Sequence, residues 1–426
     1  MTGSTSIISS IITQSNNPAV HAAGRATLEI VISSIIGIGC IDYKLINQTT
    51  ISALSSTTYK ILLPMFLGTN IIKTITKTNG LTKSSFTLPL LASLQSFILY
   101  MITTKIIFPL LLLLDDDDGN IVDINTIRNS DDGRGISICS SFGNGGVVPL
   151  IFCESLFGRS SSSGDNDLLA LSTGCVALFL VGWSPFFWGF GRSILLGDDA
   201  DASSSKDKKT MIANKLKSML PPPVIGVFIG MIIATIPIIR RLFIAKDVGA
   251  SGPLFGVVFD TMQNFGKAAS PLSLLVLVSS LALGAGFGVT TGSTKSKTAI
   301  TSTPSSSTIV YEITFWKRWG IVSFMRFIIS PIIMYSLLKI VSLPQIGLID
   351  SYRTDSSTKV YTSMIWFICI LESIMPPAQN QVTLLHVANK TKKANEMATF
   401  LFFIYTTSMI PLVIILSMAL QQFQLI

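Results

Sequence analysis

The sequence predicts an all-α integral membrane protein of ten transmembrane helices, built as two inverted five-helix repeats in which the fourth and ninth helices are broken. Three observations predict it: an apolar composition, ten apolar windows of membrane-spanning length, and two helix-breaking stretches at matching places in the two halves. Of 426 residues, 49% are hydrophobic and only 13% charged, and the mean hydropathy is +0.60. A soluble domain carries about twice that charged fraction. The apolar residues gather into windows of the length a helix needs to cross about 30 Å of hydrocarbon.

In chain order the windows fall at 25–43, 51–72, 86–112, 135–157 and 168–190, then at 222–241, 253–289, 318–341, 361–386 and 395–420. An odd number of spans per repeat forces the second half into the opposite orientation, which is the inverted-repeat architecture. The halves are then 1–190 and 222–426, joined by a short polar cytoplasmic loop at 191–221. Ahead of the first window the chain has no basic n-region and no clear cleavage site, so no removable signal peptide is expected. Asp115–Asp118, Ser160–Asp167, Gly197–Lys217 and Thr290–Thr308 lack apolar periodicity and read as solvated loops. The seventh window is too long for one upright crossing. Phe255, Phe259, Met262 and Phe265 suggest an amphipathic start that Ser270-Pro271 turns upright.

Cytoplasmic loops carry an excess of Lys and Arg. Lys206, Lys208, Lys209, Lys215 and Lys217 in the central loop and Lys390, Lys392 and Lys393 before the last span therefore place both termini on the lumenal or extracellular side, with Lys73, Lys77 and Lys83 on the unfavoured face. A net charge of +8 suits an anionic leaflet or anionic solutes, and nothing points to nucleic acid. Cys40, Cys139, Cys153, Cys175 and Cys369 show no CxxC spacing, and His21 and His386 have no partner at metal-ligand spacing. Neither a disulfide framework, a zinc site nor a cofactor is expected. No Ser/His/Asp or HExxH pattern marks an enzyme.

In the fourth window, Ser141-Phe142-Gly143-Asn144-Gly145-Gly146-Val147-Val148-Pro149-Leu150 interrupts an apolar run. Glycines permit non-helical dihedrals and proline removes a backbone donor, so several amides and carbonyls lose helical partners. Such backbone survives at membrane depth only when buried in protein or lining a wet cavity. The ninth window has its counterpart in Glu372-Ser373-Ile374-Met375-Pro376-Pro377-Ala378-Gln379-Asn380-Gln381. Paired breaks point to a binding site for a small anionic solute, because half-helix N-termini present free N–H groups and a partial positive charge. Asn144 and Asn380 each add a neutral amide. Packing kinks capped by asparagine are the alternative.

These stretches resemble the auxin efflux carrier superfamily, which holds the plant PIN carriers, the PIN-LIKES proteins and related microbial transporters. The resemblance rests on Gly143-Asn144-Gly145-Gly146 with Pro149-Leu150, and on Pro376-Pro377-Ala378-Gln379-Asn380. Weaker echoes are Leu63-Pro64, Pro221-Pro222-Pro223-Val224 and Ala269-Ser270-Pro271-Leu272-Ser273. The short central loop is closer to PIN-LIKES proteins. The resemblance implies that the fourth and ninth helices cross, in a fold like those of NhaA-type antiporters and bile-acid symporters. It implies a small organic anion such as an auxin bound beside the crossing, elevator-type movement, a bilayer setting in the endoplasmic reticulum or, alternatively, the plasma membrane, and a homodimer as a candidate assembly. The implied substrate-binding set is Gly143, Asn144, Gly145, Gly146, Pro149, Pro376, Pro377, Gln379 and Asn380. Gln379 stands where a small apolar residue is expected.

Glu154 and Glu372 lie beside the breaks, and intramembrane carboxylates are costly enough to suggest function. With Asp260 they are the candidates for proton coupling. Asp260 and Lys267 share a helix face two turns apart, Arg326 lies inside the eighth span, and Lys60 and Lys105 are expected to snorkel. Arg192 and Arg318 read as headgroup anchors. A proton- or sodium-coupled carrier of another organic acid, a channel and a sensor remain alternatives.

Overall fold

The structure is a computed structural model that describes residues 18–77, 83–114, 123–158, 166–197, 221–244, 254–284, 313–343, 356–388 and 390–423. Among these residues the fold is all-α, its only β feature an isolated bridge between Gly143 and Pro377. The helices follow the ten predicted windows. The first is α1 (Pro18–Asp42). The second comprises α2 (Gln48–Thr57), a π-helical turn (Thr58–Leu62) and α3 (Leu63–Lys77). The third comprises α4 (Lys83–Ile102), a π-turn (Thr103–Ile107) and α5 (Phe108–Leu114).

A short α6 (Ile124–Asn129) precedes the fourth, broken segment, α7 (Asp131–Ser141) and α8 (Val147–Phe157). The fifth is α9 (Asn166–Phe186), a π-turn (Phe187–Gly191) and α10 (Arg192–Leu196). The second half continues with α11 (Pro222–Thr235), α12 (Pro237–Ile244), α13 (Gly256–Lys267) and α14 (Ala269–Gly284). The eighth segment is α15 (Phe315–Phe324), a π-turn (Met325–Ile329) and α16 (Ser330–Val341). The broken ninth is α17 (Ser356–Ser373) and α18 (Asn380–Val387), and the tenth is α19 (Thr391–Phe423).

Six continuous helices among the described residues are long and apolar enough to cross a bilayer: 19–42, 86–113, 168–196, 256–283, 315–341 and 392–423. The fourth segment falls short because its Gly run splits it into two helices of 11 residues each; in the ninth, the Pro run leaves α17 with 18 residues and a polar start, and α18 with 8. The second, rich in Ser, Thr and Asn, is long but less apolar.

Four boundaries depart from expectation. The first helix begins at Pro18, not 25, because Ala19, Ala23 and Ala26 recur at helical spacing and are buried, leaving Arg25 exposed on the same helix. The fifth segment runs to Leu196, into the predicted loop at 191–221, of which residues 198–220 lie outside the described residues. The sixth window does not continue to 241. Its chain bends by 102° between α11 and α12, since Ile236 precedes a proline and is held extended (φ −87°, ψ 111°). Beyond the bend, α12 buries none of its residues and carries Arg240 and Arg241, the pattern of a helix lying in the membrane interface. Finally, α13 and α14 follow one line over 28 residues, with a turn at Ala268 between them and no sharp bend at Ser270-Pro271. Pro271 falls in the first turn of α14, where its missing N–H leaves no bond unmade. The Asp115–Asp118 and Thr290–Thr308 loops also lie outside the described residues, as does residue 160–165 of the Ser160–Asp167 stretch.

The helices form two groups, which pack on each other through α3 on α9 and through α1 and α14 on α19. Those of segments one, two, six and seven touch one another through α3 on α11 and α13, and through α1 on α14. Those of segments three, four, five, eight, nine and ten surround the breaks, with α9 against α4, α8 and α17. The α3–α11 contact is close: a Cβ at Gly226 would stand 2.4 Å from the Pro64 carbonyl oxygen, so only glycine allows this backbone approach. We therefore expect Gly226→Val to destabilise the protein by about 1–3 kcal/mol through overpacking, read as a lower melting temperature in detergent with monodispersity retained.

Candidate functional site

α7 ends at Ser141 and α8 begins at Val147, and the five residues between are not helical. Phe142 is extended (φ −114°, ψ 104°) and Gly146 closes the break as the N-cap of α8. α17 ends at Ser373, and Pro376 and Pro377, which lack N–H groups, prevent its continuation into α18. The two extended stretches meet antiparallel. Asn144 N–H donates to the Pro376 carbonyl (2.7 Å) and Ala378 N–H to that of Phe142 (3.0 Å). The breaks thus satisfy each other's backbone at a depth where water is scarce. Their antiparallel meeting is what two halves of opposite orientation require.

Side chains complete the crossing. Arg326, 2% exposed, is the largest fully buried side chain among the described residues. Its Nε (2.9 Å) and Nη2 (2.7 Å) donate to the Met375 carbonyl, and Nη2 reaches that of Glu372 at 3.4 Å. A guanidinium is thereby placed on the carbonyl end of α17, where the helix dipole favours positive charge. Ser330 Oγ donates to the Ser373 carbonyl (2.7 Å) and accepts from Gln95 Nε2 (2.8 Å). On the other side, Asn144 Nδ2 donates to the Tyr405 hydroxyl (2.8 Å), which donates to the Pro377 carbonyl (3.0 Å). Cys139 Sγ donates to Gln381 Oε1 (3.0 Å).

Beside the crossing lies a small crevice with room for about one water molecule, lined by Gln95, Ser141, Gly143, Trp183, Arg326 and Glu372 among others. Its aromatic wall is rigid: Trp183 stacks on Phe187 (4.9 Å, 6°), and Phe142 packs edge-on against both. A larger pocket opens at the far end of α7, about 15 Å away by helix length. There Asp132 pairs with Arg318 and Asp131 with Lys393, tying the fourth segment to the eighth and tenth. Arg318 also sits over the Phe400 ring (5.7 Å), so it is an internal strut and not the headgroup anchor expected.

The sequence-predicted residues separate into groups. Gly143, Asn144, Gly145, Gly146, Pro376, Pro377, Gln379 and Asn380 are all brought to the crossing. Pro149 lies one turn inside α8, at a position where its missing N–H does not break the helix; the glycines make the break. Asn144 is buried and engaged, whereas Asn380 is half-buried with no hydrogen-bond partner for its side chain among the described residues. Gln379 Oε1 is likewise unpartnered. Glu372 is 3% exposed and borders the cavity. Glu154 is half-buried beside Ser270 and Glu29, where α8 packs on α14 and α1. Asp260 is exposed on α13, which packs on α3. Lys60 and Lys105 are exposed within π-turns.

Tyr405, Gln95 and Trp183 escaped sequence reasoning. Tyr405 carries one signal, a phenol inside the apolar Phe400–Ile410 run, since a buried hydroxyl requires a partner. Gln95 and Trp183 stand in spans with no break to mark them.

Comparison with known families now bears on this geometry. The family model described as membrane transport protein, that of the auxin efflux carriers, matches residues 24–416. The chain belongs to this family. The match takes in both broken segments and every residue of the crossing. No curated protein matches the chain. Membership makes this a multi-pass membrane transporter, and family members are transporters rather than enzymes.

In this transport protein the guanidinium explains one glycine of the crossing. A Cβ at Gly143 would lie 2.0 Å from Arg326 Nη2, whereas one at Gly146 would meet only Leu180 methyls at 3.6 Å. Gly143→Ala should abolish transport or folded yield while Gly146→Ala retains folding, as measured by fluorescence size-exclusion of the detergent-extracted protein. Tyr405→Phe deprives both the Asn144 amide and the Pro377 carbonyl of a partner. A loss of about 1–3 kcal/mol is expected, seen as a lower melting temperature that Asn144→Ala alone does not exceed.

Proposed function

We propose that the protein carries a small organic anion of the auxin type across its membrane, using the crossing as the substrate site. The observation that carries this reading is the Asn380 amide: polar, without a hydrogen-bond partner among the described residues, and fixed at the start of α18, whose N-terminus favours negative charge. Also at the crossing, Arg326 adds fixed positive charge, and the Phe179 and Trp183 wall of its crevice suits a planar ring. A carboxylate would take the amide while its apolar part lies against the aromatics.

Elevator-type alternating access fits the two groups of helices. The helices around the crossing would move as one body along α1, α3 and α14. The Asp132–Arg318 and Asp131–Lys393 pairs lie within the moving body, tying its fourth, eighth and tenth segments at the end that carries the basic residues. We assign that end to the cytoplasm and the termini to the lumenal or extracellular side. The endoplasmic reticulum is the assigned membrane, with the plasma membrane as the alternative.

Counterflow of labelled indole-3-acetate in proteoliposomes tests the proposal. Asn380→Ala should lower exchange at least tenfold with an unchanged melting temperature, because no hydrogen bond within the described structure is lost. Wild-type exchange no faster than that of protein-free vesicles, across a panel of aromatic and aliphatic carboxylates, would sink it.

A further inference from the structure

The cavity beside the crossing is lined by a guanidinium and a carboxyl group that do not form an ion pair. Arg326 spends Nε and Nη2 on the carbonyls of Met375 and Glu372. The Glu372 carboxylate is buried, and neither of its oxygens has a hydrogen-bond partner among the described residues. Both residues line the same cavity. A carboxylate in this setting is tolerated for one of two reasons: a nearby positive charge balances it, or it takes a proton.

The other charged and titratable groups do not supply a competing balance. From the elements packed on α17, the groups facing Glu372 are Arg326 and the Cys153 thiol of α8. Cys369 lies on its own helix with Cys175 of α9 behind it, and the Tyr405 phenol of α19 lies beyond Arg326. Lys339 of α16 is held over the Tyr335 and Trp366 rings, nearly two turns further along. Arg326 is therefore the one cation facing Glu372 among the described residues.

We propose that Glu372 is the proton carrier of this transporter, taking up one proton for each monovalent anion bound at the crossing. The inference rests on the anion reading above. In the empty site the Arg326 charge is balanced by the Glu372 carboxylate. An incoming anion supplies a second negative charge to the same guanidinium, and the low dielectric of the cavity penalises the excess. A proton from water on the open face converts the Glu372 carboxylate to the carboxyl. Arg326, the anion and the neutral acid then sum to zero, as Arg326 and the carboxylate did before. On the opposite face the anion leaves and the carboxyl returns its proton to water. No other bond is made or broken. The moving body crosses the bilayer neutral both loaded and empty, so the cycle is electroneutral symport of one anion with one proton.

Glu154 and Asp260 lack this arrangement. Glu154 faces Ser270 and a second carboxylate, Glu29, away from the cavity, and Asp260 is exposed on α13. The structure thus singles out one of the three carboxylates that the sequence offered.

Calorimetric titration of indole-3-acetate into the detergent-purified protein, in buffers of different ionisation enthalpy, counts the protons taken up per anion. For the wild type about one proton per anion is expected, with affinity falling about tenfold per pH unit on the alkaline limb of the profile. Glu372→Gln, a neutral isostere of the protonated acid, should bind with no proton uptake and a flat pH profile. Wild-type binding without proton uptake at every pH overturns the coupling and leaves the anion site standing. So does a slope that survives Glu372→Gln or disappears in Glu154→Gln or Asp260→Asn. Absence of any binding by the wild type overturns the anion reading itself, and the coupling falls with it. Should Glu372→Gln fail to fold, the wild-type proton count still decides.

Discussion

The structure depends on one constraint: two helices are broken at a depth where no water can take over the lost backbone bonds. Each break leaves amides and carbonyls that would cost several kcal/mol apiece in hydrocarbon. The protein meets this by laying the breaks across each other, so that Asn144 N–H finds Pro376 and Ala378 N–H finds Phe142. The bridge needs extended backbone on both strands, which the glycines of one and the prolines of the other provide. Neither break is stable without its partner, and this is why the halves of the chain form one folding unit despite their separation in sequence.

Around that bridge, polar residues from three further segments do the work of a solvent. Arg326 arrives on a π-turn of the eighth segment, and such turns re-aim a side chain by one position without ending the helix. Ser330 follows four residues later on the same face, and Gln95 holds it from the third segment. Tyr405 comes from the tenth. The effect is a site whose shape is set by hydrogen bonds from rigid helices, with the indole of Trp183 and the Phe142 ring as its apolar boundary. Pre-organisation of this kind reduces the ordering that a ligand must bring about on binding.

How far the chain was legible follows the same physics. The ten windows were visible because a bilayer imposes length and apolarity on every span. The breaks were visible because Gly143–Gly146 and Pro376-Pro377 contradict helix so strongly that only a special role explains them at that depth. What stayed hidden were contacts between distant segments. Nothing near Tyr405 announces that its hydroxyl faces Asn144, 261 residues away in sequence, and hydropathy cannot show that Arg318 reaches inward to Asp132. The bend at Ile236 was concealed by Pro237 itself, whose neighbours are apolar enough to continue the hydropathy signal past the turn. Pro149 misled in the opposite sense, since a proline in a helix's first turn is a start signal and not a break.

That bend also bears on the surrounding lipid. α11 has 14 residues, a rise of about 21 Å against about 30 Å of hydrocarbon, and α12 then turns aside with its two arginines. A span so short draws the adjoining leaflet inward, because lipid tails yield more readily than backbone left bare. The length of this one helix therefore sets a bilayer thickness beside it that is less than the full-length helices require.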